Sequence, residues 1–580
     1  MQVQVQPGQQ QPRSGVPGPP RARAPLRLQA MDATTLRAVL AELRQVLLPS
    51  RFEKAQQSDP HTLQLALRHL DGVQWLEAGW MAEAPRLLAI GAPPRQGEGS
   101  TLARQLQHGL KGLALVAIEQ QGWERVVELV FARRPGDPPE RRLVFELMGR
   151  HSNLFLLDSD FRVIATAHQV RPSQSRQRPI GCGDRWVPPP PLGGDQPRLE
   201  ESQERWRQRL AVVPLPLGRA LLTTYQGISP ALARQISGDL IDTPVATLAA
   251  SQWQALHSRW QGWLQAVQQP QRHGLRLSDD GGYCCWDSSR PDGASPLALN
   301  LALASYYGPR LEQGRFEQRR HGLSQSLRSL AERERSNLDQ QQQLLAAVPE
   351  GESLQQRADA LLCQPSPSRE TIDEAQALYR LARKRRRSAA AIMPRLEQHH
   401  QRLAWMEASL TFLEQAETSE QLADLAEELD QLPGRKPAMA SRSQRRQAAA
   451  APAKGQPIPL EVRTASGLRL QVGRNHRQNE WISLRQARRG DLWFHAQEIP
   501  GSHVVLKASE GPAGEADLRA AADLAAHFSR GRGNARVPVV MVPTEDLQRL
   551  PGAAAGTVRH RGGELLWGEP PRALSLLQEP

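Results

Sequence analysis

The sequence ELMGRHSNLFLLD, from Glu146 to Asp158, sets a glycine, an arginine, a histidine, a serine and an asparagine between two apolar runs. Leu154, Phe155, Leu156 and Leu157 read as a buried strand, and Phe145, Leu147 and Met148 as the apolar flank of a preceding strand or helix. Gly149 permits a sharp reversal of the backbone. Arg150, His151, Ser152 and Asn153 then share one short turn, where each can bond a phosphate or another polar partner. A structural turn with an asparagine cap is the plainer reading of the same residues.

Working outward, the protein is too long for one core: 580 residues suggest roughly three to five domains. Lys and Arg number 73 against 60 Asp and Glu, a formal charge of +13, and most of the cations are arginine. The guanidinium fork matches phosphate oxygens in pairs, which points to a nucleic-acid partner. A GC-rich coding bias would explain the choice of arginine over lysine but not the net charge. Cys182, Cys284, Cys285 and Cys363 fall in no zinc-ligand spacing and are too few for a disulfide scaffold. No metal or cofactor is therefore expected, and the thiols fit a reducing cytoplasm. No apolar run approaches the ~18 residues of a membrane span.

Residues 1–30 are rich in Gln, Pro, Gly and Arg and carry no acid, so they read as a disordered basic tail, with Met31 a candidate start of the folded part. From there Leu36, Val39, Leu40, Leu43, Val46 and Leu47 recur at helical steps behind Asp32, a candidate N-cap. Shorter runs, Thr62–Leu67, Leu113–Ile118 and Arg162–Ala167, read as strands, with a helix at Thr101–Leu110 between them. Residues 31–200 are thus an α+β domain. Within 201–270, Thr224–Ile236 (TYQGISPALARQI) resembles a helix-hairpin-helix, whose turn offers backbone N–H groups to a phosphate. Ser229 stands where a second glycine is usual. Residues 271–310 return to the first domain.

Residues 311–432 are dominated by Gln, Glu, Arg and Leu. Leu396, Leu403 and Leu410 recur every seven residues, with Met406 and Leu413 in an offset register. This predicts an antiparallel coiled-coil hairpin with its tip near Pro365–Pro367. The run Arg383, Lys384, Arg385, Arg386, Arg387 lies on its second arm and calls for a polyanion such as rRNA. Residues 433–459 read as a flexible linker. Residues 460–580 form a second α+β domain, with strands at Leu468–Val472, Leu492–Ala496, Ser502–Lys507 and Val537–Val542 and a helix at Glu515–Ser529. It holds a polar cluster, Arg474, Asn475, His476, Arg477, Gln478 and Asn479, followed by His495, His503 and Lys507 interleaved with Trp493 and Phe494. Cations for phosphates and planar groups for stacking suit an RNA surface. The two histidines serve equally well as satisfied core residues.

Taken in order, these segments resemble the NFACT family from Met31 onward. The resemblance implies a non-enzymatic factor of ribosome-associated quality control: it binds large ribosomal subunits that still carry peptidyl-tRNA, acts as a monomer there, and recruits tRNA, in bacteria alanyl-tRNA, for alanine tailing of the stalled peptide. It also implies tRNA contact by an Asp-Arg pair on a strand before the opening motif, and by Arg150, His151 and Asn153 in the motif. Here the pair reads Glu124-Arg125, whose longer acidic arm displaces a positioned contact, which makes a subunit- and tRNA-binding factor without tailing the alternative. Arg474, Asn475, Arg477, His495, His503 and Lys507, with the basic run, are the expected RNA and ribosome contacts. Two other classes remain. A DNA glycosylase of the formamidopyrimidine type shares the fold, but neither its N-terminal proline nor its four-cysteine finger is present. A fibronectin-binding adhesin, a name some members carry, has no recognisable export signal here.

Overall fold

In the computed structural model, residues 28–95, 100–346, 350–431, 456–550 and 554–578 are described. The expected tail falls mostly outside them, as does most of the expected linker. The protein is a mixture of helices and antiparallel sheets and divides into two compact units, one ending at Glu312 and the other beginning at Gln313.

The first unit is organised by helix α1 (Ala33–Leu47), capped by Asp32, whose carboxylate accepts the Thr35 N–H at 2.8 Å. Leu36, Val39, Leu40, Leu43 and Leu47 form a fully buried stripe against a nine-stranded sheet. Such burial contributes about 1.5–3 kcal/mol per side chain, more than a cap supplies. The strands are β1 (Ser50–Asp59), β2 (Thr62–His69), β3 (Gly72–Gly79), β4 (Arg86–Ile90), β5 (Ala114–Gln120), β6 (Val126–Ala132), β7 (Arg141–Glu146), β8 (Asn153–Leu157) and β9 (Val163–Thr166). Their order is β4-β3-β2-β1-β5-β6-β7-β8-β9. The opening motif is the β7–β8 turn. Gly149 takes φ +60° as anticipated, and Leu154–Leu157 are buried.

Four helices follow: Gln203–Leu210, Leu217–Thr224, Pro230–Ser237 and Ala250–Gln268. Their core is a cluster of Trp206, Trp253, Trp260, Trp263 and Tyr225. The second and third helices form the hairpin, with Gly227 in its turn at φ +75° and a Cβ there meeting the Trp123 ring at 2.7 Å.

The second unit contains the helical hairpin. The long helix Ala298–Ala346 starts earlier than the heptad reading placed it, because Leu299, Leu303, Tyr306 and Tyr307 belong to the first unit's core rather than to a seam. Its continuation pairs with the helix Arg369–Gln415: Phe316, Leu323, Leu327 and Leu338 pack with Ile392, Leu396, Leu403, Met406 and Leu413. Ion pairs Arg335–Glu407 and Arg328–Glu414 fix the antiparallel sense. Pro365–Pro367 lies in the turn between helices Glu350–Leu362 and Arg369–Gln415. The arm ends at Gln415, and Ser419–Asp430 is a separate helix behind a Thr418–Gln421 capping box.

Beyond it lies an antiparallel six-stranded sheet in the order Leu460–Arg463, Arg469–Val472, Val504–Leu506, Leu492–Ala496, Val537–Pro543 and Glu564–Gly568. Leu470, Val472, Phe494, Val504 and Leu506 pack on the helix Glu515–His527. Trp493 and Val505 occupy the opposite face with Ile482. Among the described residues no helix is long and apolar enough to cross a membrane.

Candidate functional site

Three segments of the first unit converge on one cleft of about 500 Å³. Asp32 at the start of α1, the turn residues Trp123, Glu124 and Arg125, and the hairpin turn Gly227, Ile228 and Ser229 line it, together with Met148 of the opening motif and Arg234. Glu124 and Arg125 stand in the turn before β6 rather than on a strand, because Gly122 at φ +52° turns the backbone there and the Glu124 N–H closes onto the Gln121 carbonyl at 3.1 Å. Their side chains diverge. Glu124 Oε1 accepts the Leu192 N–H at 2.9 Å, and Arg125 Nη1 reaches the Met31 carbonyl at 3.4 Å. Burial lowers the Arg125 pKa, opposed by Asp32 and Glu124. A desolvated guanidinium with few partners is well suited to a phosphate. The N–H groups of Gly227 and Ile228 make no hydrogen bond among the described residues, as an anion-accepting turn requires.

The opening motif divides. Arg150 and His151 are exposed, with Arg150 Nε donating to His151 Nε2 at 3.0 Å. Asn153 is buried: its amide donates to the His168 carbonyl at 2.9 Å, and its oxygen accepts from the Leu154 N–H and the Thr166 hydroxyl. It braces the start of β8 against the end of β9. Glu146 is likewise buried, held by both Arg178 terminal nitrogens and the Trp186 N–H.

The C-terminal cluster is corrected more heavily. Lys507 is buried with its ammonium 3.0 Å from Asp491. Burial pushes the Asp491 carboxyl up, but hydrogen bonds from Ser509, Arg488 and Lys507 more than offset this and hold it below the ordinary value. His503 is buried against Ser483 at 2.8 Å, and burial lowers its pKa well below the usual range. Asn475 is a buried N-cap for the Gln478 N–H. Arg474 donates to the Gln415 carbonyl at 2.6 Å over the Phe528 ring, and Arg477 pairs with Glu427. Arg474 thereby ties the sheet domain to the end of the hairpin arm, and Arg477 ties it to the helix Ser419–Asp430. His495 lines a second cleft, where burial pushes its pKa down to about 4. Arg383, Lys384, Arg386 and Arg387 are exposed on their helix, and Arg385 is half-buried.

Sequence reasoning missed Trp123, Arg234 and the second role of Asp32. The only signal for the last was its N-cap position. Among the described residues no group of His, Cys, Asp and Glu is placed to hold a metal, and all four cysteines are free.

Comparison with known proteins gives a consistent result. Residues 32–370 and 364–447 match the family model described as NFACT N-terminal and middle domains, and residues 461–562 match the NFACT protein RNA binding domain. The protein is similar to the Rqc2 homolog RqcH of Streptococcus pneumoniae, at 24% identity over 93% of this sequence and 97% of that one. It is similar to the Rqc2 homolog RqcH of Bacillus subtilis at 24% identity, over 78% and 83% respectively. A solved C-terminal part of the fibronectin/fibrinogen-binding protein from Streptococcus suis is 26% identical, with a TM-score of 0.38, over 45% of this protein and 99% of that one.

Proposed function

The protein belongs to the NFACT family, and from that premise we propose that it holds a tRNA at the Asp32–Arg125–Ser229 cleft while bound to a large ribosomal subunit carrying peptidyl-tRNA. A ribosome quality control role is supported by the family and by its RNA-binding domain. The observation that carries the finer reading is the convergence of Glu124, Arg125 and the hairpin turn on one cleft. The hairpin N–H groups and Arg125 receive backbone phosphate, and Glu124 holds the Leu192 backbone at the cleft. The basic run and Arg150 make further RNA contacts. The protein contributes positioning alone; peptide transfer is the ribosome's chemistry. It works as a cytoplasmic monomer on the subunit, with alanine tRNA as the expected cargo.

A second reading, binding without tailing, is favoured by one observation: Glu124 is occupied by the Leu192 N–H. The test is to isolate the full-length protein with its cargo from cells, then sequence the bound tRNA and the C-terminal ends of the nascent peptides. Alanine tRNA with alanine-rich tails supports the first reading, and untailed peptidyl-tRNA on large subunits supports the second. Loss of tRNA but not of subunits in Arg125→Ala places the tRNA at the cleft. Equal binding to vacant subunits at every salt concentration overturns both.

A further inference from the structure

The second cleft has about 630 Å³ of space and lies where the helix Arg369–Gln415 meets the face of the six-stranded sheet opposite the helix Glu515–His527. Its walls are aromatic. Trp405 stacks on His476 with ring centres 4.2 Å apart and planes 14° apart, and Trp493 lies beside His495 at 5.6 Å and again 14°. His503 and His560 complete the ring set, at 5.1 and 5.9 Å from Trp493.

We propose that this cleft receives one unstacked nucleobase of single-stranded RNA against the accessible rings of His495 and His560, with Trp405 and Trp493 backing the cleft. Four observations converge. Among the described residues no lysine or arginine lines the cleft, so it is not built for a phosphate. Burial pushes His476 down to about 3 and His495 to about 4, so their rings are neutral at physiological pH and the cleft carries no imidazolium charge there, with His476 Nε2 held by the Ser409 hydroxyl at 2.8 Å. The indole N–H groups of Trp405 and Trp493, both residues more than nine-tenths buried, have no partner among the described residues. Such groups await an acceptor, and a base supplies one. Of the two carboxylates that line the cleft, Glu407 and Glu498, the first is neutralised by Arg335 at 3.0 Å and Arg530 at 3.5 Å. Arg530 is exposed at that rim, where the phosphate of an inserted nucleotide would lie. The receptor is composite, because Trp405 comes from the helical hairpin and lies outside the matched RNA-binding segment, whereas the other five rings lie inside it.

The inference rests on the RNA-binding reading of this domain and fails separately from the ribosomal one. The experiment uses the full-length protein and a ten-nucleotide strand of adenosines carrying one 2-aminopurine. Binding quenches the probe in the single strand but not after annealing to its complement, since stacking on aromatic rings needs a free base face. Trp405→Leu and, independently, the exposed-site variant His560→Ala lower the affinity about tenfold and restore the fluorescence. His560→Ala guards against misfolding of the first variant. Wild-type affinity and quenching in both variants would overturn the proposal. So would displacement of the probe by a trimethyllysine peptide, which would make the site a cation cage. Quenching that persists in a preparation unable to bind ribosomal subunits would sink the ribosomal reading alone.

Discussion

The Asp32 carboxylate serves two helix starts: one oxygen caps α1 through the Thr35 N–H at 2.8 Å, and the other accepts the Ser229 hydroxyl at 2.8 Å. Ser229 in turn caps the second hairpin helix by accepting the Leu232 N–H at 3.0 Å. The serine in place of a hairpin glycine is therefore the latch that sets the hairpin turn against α1, and the cleft lies at that latch.

Removing the latch should be non-additive. Each lost cap costs about 1 kcal/mol, and Asp32→Ala loses both its own cap and the anchor of Ser229, about 2 kcal/mol in all. Ser229→Gly keeps the turn but frees it. Denaturant unfolding of Asp32→Ala, Ser229→Gly and the double variant should give a coupling of about 1 kcal/mol. Strict additivity would mean the two side chains do not depend on each other.

Lys507 separates a bracing role from an RNA role. Lys507→Met leaves the Asp491 carboxylate buried without its cation, and breaking one side of such a pair costs about 3–5 kcal/mol. The double variant Lys507→Met with Asp491→Asn should recover part of that loss, because the neutral amide removes the buried charge while its oxygen still accepts from the Ser509 or Arg488 donors. RNA affinity of the folded protein should stay at the wild-type level in the double variant. A specific loss of RNA binding by the folded double variant would return Lys507 to the contact surface.

What was legible in the sequence follows from range. Helix α1, strands Leu154–Leu157 and Leu492–Ala496, and the seven-residue seam are written in local periodicity, and the structure contains them. The exposure of a polar residue is settled by partners far along the sequence. Asn475 and His503 sat in a cluster that read as a surface. His503 instead meets Ser483 across 20 residues, and the His476 N–H meets Glu428 across 48. Periodicity carries no trace of such pairings. The cleft itself joins residues 32, 125 and 229; the hairpin motif and the family's paired acid and arginine each marked a wall, but nothing local showed that these walls meet at Asp32.

The buried imidazoles make the second unit sensitive to acid. An imidazole whose folded pKa is depressed takes up its proton more readily in the unfolded state. Its stability contribution is present above the unfolded value of about 6.5 and lost as pH falls toward the folded value. His476, held near 3 by burial, should by itself cost about 2 kcal/mol between pH 6.5 and 5. Glu428, pushed up to about 7 by burial, acts oppositely: its contribution is present below about 4.5 and lost as pH rises through 7. Unfolding midpoints from pH 5 to 8 should fall on both sides of an optimum. His476→Phe should flatten the acid limb, and Glu428→Gln the alkaline limb. An unchanged acid limb in His476→Phe would show that the imidazole is charged in the folded protein.

The basic run offers a quantitative test of RNA contact by the helical hairpin. Arg383, Lys384, Arg386 and Arg387 are exposed on one long helix, where glutamine substitutes with little loss of helix propensity. Each cation that neutralises a phosphate contributes about 0.7–0.9 to the slope of log affinity against log salt. Replacing all four by glutamine should therefore make that slope shallower by about 3 for large subunits carrying peptidyl-tRNA, with helix content unchanged by circular dichroism. Affinity should fall most at low salt, where counterion release drives binding hardest. Parallel slopes for the wild type and the variant would show that the run faces solvent on the bound subunit.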